Sequence, residues 1–385
     1  MSIPVMYHSV TPNTNKPSGS GWQQFDEIDF TMSFPQRKLL CNSVRLEADI
    51  NITTANARPA VGSDIKFDNS IGMHCIIDGI ITSFESKGKV ESLSKNYSRW
   101  AKMLSDVTLT NDDMNQSNNT CELRCPNLNV AQSYCQGQIP NFVTAPAAAN
   151  LALVTKDADF SLKPHFILNS ASSADGDLSL SFSKTGRINV TFILARVLGS
   201  FFGGSVNITS KYIVKNPRLT FMSVPEDNKQ SNIIFRSVDS FKQTITSNQH
   251  SLSVNVPKVV ESAVASFQSV SNENQASQNN NATEVLPNLR RLEFLYNNNT
   301  NEVFKFPLQS RPEMLKQYLG ALGPASHNNA SMRNLSANNA FGVGLSMSGG
   351  GVDFTNNSFN MMLTSDANSN DSYNVYLYMI SPVSI

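Results

Sequence analysis

This chain is poor in charge. Charged residues make up 16% of its 385 positions, against about 25% in an average soluble domain. Lys+Arg and Asp+Glu stand at 30 each, so the formal net charge is zero. A balanced chain has no long-range field drawing it to nucleic acid or an anionic membrane, and no specific nucleic-acid partner is expected. Cysteine is scarce too. Cys41, Cys75, Cys121, Cys125 and Cys135 are an odd, thinly spread set, which suits a reducing compartment better than a disulfide framework. No apolar run approaches the ~20 residues of a membrane-spanning helix. Met1 to Trp22 is a polar Ser/Pro/Gly segment without the basic start and apolar centre of a signal peptide. The expectation is a chain made and used without crossing the secretory membrane, in which triplets such as Asn51-Ile52-Thr53 and Asn207-Ile208-Thr209 stay unmodified.

Recognisable chemistry is also missing. His8, His74, His165, His250 and His327 are scattered, with none at i, i+4 to another and none beside an acid partner, so they read as surface or core histidines. The best zinc combination is Cys121-x3-Cys125 with Cys135 and the His74-Cys75 pair, but a second close pair is absent and the geometry would have to close over a long loop. "SGGGVDF", Ser348 to Phe354, lacks the Lys-Ser/Thr and the following helix of a phosphate loop, and reads as a tight bulge or sheet corner. Asp112-Asp113 reads as a solvated loop. Tyr97 and Trp100, at helical spacing, read as core rather than as a stacking platform. No catalytic residue, cofactor site or metal site follows, and the chain is not expected to be an enzyme.

What is present is alternation. In "FDEIDFTMSF" Ile28, Phe30, Met32 and Phe34 face one way and Asp29, Thr31 and Ser33 the other, the two-residue period of a pleated strand. Val44, Leu46, Ala48, Ile50 and Ile52 repeat the pattern, giving each strand one wet side. "SIGMHCIIDGIITSF" predicts a bent strand or two broken at Asp78-Gly79. "ESLSKNYSRWAKMLSD" predicts a helix with Leu93, Tyr97, Trp100 and Leu104 on one face. "LSLSFSKTGRINVTFILARV" predicts a hairpin about Lys184-Thr185-Gly186, and "SKYIVKNPRLTFMSV" a strand pair or a strand bent at Asn216-Pro217. "SVSNENQASQNNNATE" is too polar to order itself cheaply and reads as an exposed loop. "LRRLEFLYNNNTNEVFKFPL" predicts a hairpin, "RPEMLKQYLGALG" a short helix, and the C-terminal pieces "AFGVGLSMSGGGVDF", "SFNMMLTSD" and "YNVYLYMI" three more strands. Many short strands, few helices and no strand–helix–strand rhythm point to an all-β sandwich, with a jelly roll as the leading case.

The order of these pieces resembles a known group. "FTMSFPQRK", "CNSVRLEADI" and "IIDGIITSFESKGKVESLSKNYSRWAKML" are similar to the N-terminal half of jelly-roll capsid proteins of virophages and polinton-like DNA viruses. "FGVGLSMSGGGVDFTNNSFNMMLTSD" with "YNVYLYMI" is similar to the closing strands of their vertex, or penton, proteins. The resemblance covers chiefly Phe25 to Asp106, Phe160 to Val224 and Phe341 to Ile380. It implies a jelly roll, and it leaves two architectures. In one, N-terminal and C-terminal strands complete a single roll carrying an additional inserted β-rich domain and a few short helices. In the other, a double jelly roll divides near Pro225.

The first is preferred, because the tracts between Ser231 and Ser336 look interrupted. It gives a flexible N-terminal arm over 1–24 and jelly-roll strands over 25–225 with an irregular excursion near 107–157. An inserted or second β-rich region over 226–336 and closing strands over 337–385 complete it. The group's major capsid proteins are double jelly rolls in pseudo-sixfold capsomers and tend to be longer than this chain. Length therefore favours a penton subunit: a homopentamer at the fivefold vertices of an icosahedral virion, assembled inside the infected host cell. The partners implied are other copies of itself, neighbouring major capsid proteins, and minor capsid proteins or a fibre. A double-jelly-roll major capsid protein and a carbohydrate- or receptor-binding β-sandwich are the alternatives, and the interface residues are not assigned.

Overall fold

A computed structural model describes residues 4–14, 16, 20–53, 68, 70–108, 121–122, 158–202, 209–227, 232–246, 249–273, 275–283, 286, 289–296, 310–326, 341–347, 350–365 and 372–385. The alternating segments form strands with their apolar sides buried. In β2 (Glu27–Met32) Ile28, Phe30 and Met32 are fully enclosed, and in β4 (Arg45–Thr53) Leu46, Ala48, Ile50 and Ile52 are buried. The remaining strands before Pro225 are β1 (Met6–Val10), β3 (Arg37–Leu40), β5 (Ile77–Phe84), β6 (Gly88–Leu93), β7 (Ala158–Leu162), β8 (Ser172–Ser173), β9 (Ser179–Ser181), β10 (Ile188–Leu194) and β11 (Lys211–Pro225). Two sheets arise from them, β1-β11-β4-β7 and β2-β10-β5-β6, with β3 and β9 extending the first beside the far end of β11. If the eight principal strands are counted along the chain, the sheets run 1-8-3-6 and 2-7-4-5, which is jelly-roll order. Helix α1 (Tyr97–Thr108) stands between the fifth and sixth strands.

The same order recurs after Pro225. There the strands are β12 (Ile233–Ile245), β13 (Gln249–Asn255), β14 (Val259–Val260), β15 (Ser262–Ser269), β16 (Leu289–Tyr296), β17 (Val343–Ser346), β18 (Val352–Asp353), β19 (Ser358–Ser365) and β20 (Tyr373–Ser384). One sheet runs β12-β20-β15-β17, again 1-8-3-6, and faces β13-β19-β16, which is 2-7-4 of the same scheme. A second helix, α2 (Arg311–Ser326), precedes β17 just as α1 precedes β7. The all-β jelly-roll class expected from the sequence is what forms, and of its two arrangements the pairing is that of the double jelly roll. Among the described residues the C-terminal strands β17 to β20 pair with β12 to β16 and not with the N-terminal strands: twelve successive residues of β20 lie against β12, from Ser384 opposite Ile234 to Tyr373 opposite Ile245.

Several local expectations change. The segment expected as a flexible arm contains β1, which pairs antiparallel with β11, and Trp22, which is buried beside Val214. Most β1 side chains are exposed, so hydrogen bonding to β11 orders it without the alternation a sequence would show. Lys184-Thr185-Gly186 does not turn a hairpin. Phe182–Thr185 is a single helical turn that sends the chain from β9, paired with β3 in one sheet, to β10, paired with β2 and β5 in the other. β5 runs through Asp78-Gly79 as one strand, but its pairing with β10 shifts register there, just as Asn216-Pro217 marks a register shift within one continuous β11. Glu91 to Leu93 finish β6, so α1 starts only at Tyr97. The polar tract after Ser269 is partly packed: Asn281 and Thr283 are buried, and Asn279 donates to Asp68 at 2.6 Å. Its amides are held by partners distant in sequence, which local composition does not reveal.

Candidate functional site at the seam between the two rolls

The two rolls meet edge to edge. β6, the last strand of a first-roll sheet, pairs in parallel with β12 at Ser92 and Asp239, so the two sheets run on into one nine-stranded surface. So short a pairing needs side chains to hold it. The Ser92 N–H donates to Asp239 Oδ1 at 3.0 Å, and Lys258 Nζ reaches both Asp239 Oδ2 at 2.6 Å and the Val90 carbonyl at 2.9 Å. Glu91, fully buried, accepts from the Ile167 N–H at 3.0 Å and the Val238 N–H at 3.3 Å, one in each roll. Burial raises its carboxyl from 4.5 to about 8 against the lowering effect of those two amides.

Helix α1 adds a second tier. Trp100 stacks on Tyr378 of β20 at 5.5 Å between ring centroids, and the Tyr378 hydroxyl donates to the Asn96 carbonyl at 2.8 Å. Arg99 lies 4.2 Å over the Tyr376 ring and donates to Gln268 Oε1 and the Asn280 carbonyl, both at 2.5 Å. Tyr97 and Trp100 are thus core, as expected from their spacing. The arrangement is mechanical: it fixes the angle between two rigid sandwiches, and it offers neither a nucleophile with a base nor an oriented acid pair.

The histidines end up in different places. His8, on β1, stacks with Phe221 at 5.2 Å and lies 2.6 Å from Ser223 Oγ, while His250 is 3.1 Å from Gln243 Nε2. His74 and His165 stack at 5.0 Å in the first roll, with His74 Nδ1 2.7 Å from the Tyr97 hydroxyl and Nε2 3.5 Å from Glu122. The expectation that no histidine has an acid partner is corrected here, because folding joins residues that share no local motif. Among the described residues no group of three His, Cys, Asp or Glu could hold a metal ion. Cys41 and Cys75 are buried, with burial pushing both thiols up, and Cys121 is exposed. Cys125, Cys135, His327 and Asp112-Asp113 lie outside the described residues. Gly350 and Gly351 have φ of +100° and +92° and lead into β18, the tight corner expected of "SGGGVDF". A Cβ on Gly351 would sit 2.7 Å from the Val260 carbonyl oxygen.

One sheet edge stands out. Among the described residues β1 pairs only with β11, and beside it Val5, Met6, Tyr7 and Met222 are exposed at 53%, 50%, 61% and 41%. Tyr7 lies opposite Met222 on one face of the sheet and Met6 on the other, so the apolar strip follows the open edge itself, a kind of feature that marks protein contact surfaces.

No protein-family model matches the chain, and no curated protein sequence does. Solved structures do match. The Faustovirus major capsid protein superposes with a TM-score of 0.59 at 8% identity, covering 100% of this chain and 90% of that one. A chain of the Sputnik virophage, solved by cryo-EM, gives 0.51 at 11% identity over 99% and 86%, and one of Sulfolobus Turreted Icosahedral Virus gives 0.50 at 7% over 98% and 90%. The likeness spans both rolls, and the fold of this chain is the jelly-roll fold of viral capsid proteins.

Proposed function

We propose that this chain is a structural, non-enzymatic protein of an icosahedral virion and that it builds a facet capsomer, as a major capsid protein does. The observation that carries the reading is the repetition of one strand order on either side of Pro225, with the two rolls fused edge to edge. Three such protomers present six similar wedges around an axis, a pseudo-sixfold tile that packs without gaps, whereas one roll per subunit would need six copies. The β1 edge with its apolar strip is the candidate contact between neighbouring copies. Near-zero net charge lowers repulsion between copies, so modest contacts sum over many interfaces. Assembly inside the infected host cell, with other capsid proteins as partners, belongs to the same reading.

The penton role expected from length is the rival. Length no longer separates the two, because the matching Faustovirus chain is nine-tenths covered by this one. Negative-stain images of the purified protein decide between them. Threefold capsomers support the facet reading, rings of five replace it with the vertex reading, and persistent monomers that bind glycans would favour a receptor-binding module.

A further inference from the structure

A cleft of about 390 Å³ opens between the rolls where α1 begins. Asn96, Ser98 and Arg99 line it from the first turn of the helix. The first intrahelical donor is the Trp100 N–H, bonded to the Asn96 carbonyl at 3.3 Å. The N–H groups of Ser98 and Arg99 come before it, and neither has an acceptor among the described residues. No acidic side chain sits in this first turn. Such an end carries partial positive charge and outward-pointing donors.

Two side chains there are also left incomplete. Ser98 is only 7% exposed, and its hydroxyl has no partner among the described residues. Arg99 is 2% exposed and donates only to neutral oxygens; its Nε has no acceptor, and no carboxylate among the described residues pairs with it. A buried guanidinium without a counter-ion is costly, and an anion placed next to it recovers part of that cost. At the rim, Lys95 and Arg196 are exposed and make no ion pair among the described residues. Two carboxylates line the cleft against these cations. Glu273 is taken up by Lys242, and Asp78 accepts the Asn96 N–H at 3.0 Å. That leaves Lys95, Arg99 and Arg196 facing Asp78 alone.

We propose that this cleft is a binding site for a phosphate group, held by the Ser98 and Arg99 amides, the Ser98 hydroxyl, and the charges of Lys95, Arg99 and Arg196. The phosphate would come as the free ion or as a phosphate ester, and bound there it would brace α1 of the first roll against the second. The site does not depend on the capsid reading, since it is a property of the single chain.

The test is calorimetric titration of inorganic phosphate into the full chain at low ionic strength, alongside the Lys95→Gln/Arg196→Gln variant. Both substituted residues are exposed, so the variant is expected to keep the wild-type circular dichroism spectrum. Saturable one-to-one binding is expected, weakened about tenfold or more in the variant, with a phosphate-dependent rise in melting temperature for the wild type. A parallel titration with a nucleoside 5′-monophosphate assigns the source: tighter binding than inorganic phosphate indicates an ester, equal or weaker binding the free ion. Absence of saturable phosphate binding by the wild type overturns the proposal, and so does equal binding by the folded variant.

Discussion

Glu91 is a carboxyl group placed where water does not reach, between backbone amides of both rolls. Its folded value of about 8 lies above its ordinary 4.5, with burial as the largest cause. The folded chain therefore keeps a proton that the unfolded chain releases. Stability from this group is full below the unfolded value and is lost as pH rises through the interval up to about 8, by on the order of 1 kcal/mol per pH unit. Thermal unfolding followed from about pH 5 to about pH 8 should show this decline, and Glu91→Gln should flatten it. An unchanged slope in the variant would mean that other groups set the pH response. Trp100 is the other decisive residue. Trp100→Ala removes a fully enclosed ring stacked on Tyr378 and is expected to cost about 3–5 kcal/mol in denaturant unfolding. Nothing local marks Glu91 or Arg99 as seam residues. Glu91 meets Val238 across 147 positions, and Arg99 meets Gln268 across 169.

Among the elements, β2 and β4 were legible because one face of each is wet and the other dry, so a two-residue period survives in the sequence. β15 and most of β20 were harder to place, because both of their faces are enclosed and the alternation that gives direction disappears. β1 was missed for the opposite reason, since three of its five side chains are exposed, none is fully buried, and it is held by its hydrogen bonds to β11. At the corner before β18, Gly351→Ala has to place a Cβ at φ +92° against the Val260 carbonyl. It is expected to lower stability by about 1–3 kcal/mol in urea unfolding, and a neutral result would show that this corner relaxes freely. The strip on β1 gives an assembly prediction. Met6→Glu combined with Tyr7→Glu should leave the monomer's melting temperature within a few degrees of wild type, because both side chains are at least half exposed. The same variant should shift light-scattering mass from capsomer to monomer; retention of the capsomer would remove this edge from the interface.

For the whole molecule, the relation between the two rolls decides what can be built. Two sandwiches fused through β6 and β12, braced by α1 on β20, move as one wedge pair if the seam holds. Lys258→Met cuts the link from Asp239 to the Val90 carbonyl and should weaken capsomer formation more than it lowers the unfolding midpoint. Equal effects on both, read by sedimentation and by thermal unfolding, would mean that the seam acts on stability alone.

The sequence by itself determined that the chain is made of short strands with few helices, that several have one buried face, and that no active-site motif accompanies them. Side-chain period and charge are local properties, so the chain carries them openly. Only the tertiary structure decided that there are two rolls. Backbone hydrogen bonds are chemically alike for every candidate partner strand, so "YNVYLYMI" reads the same whether it closes an N-terminal sheet or lies along β12. The choice is made by long-range packing, in which β12, β15 and β20 enclose one another, and by the few polar contacts that lock the second roll against the first.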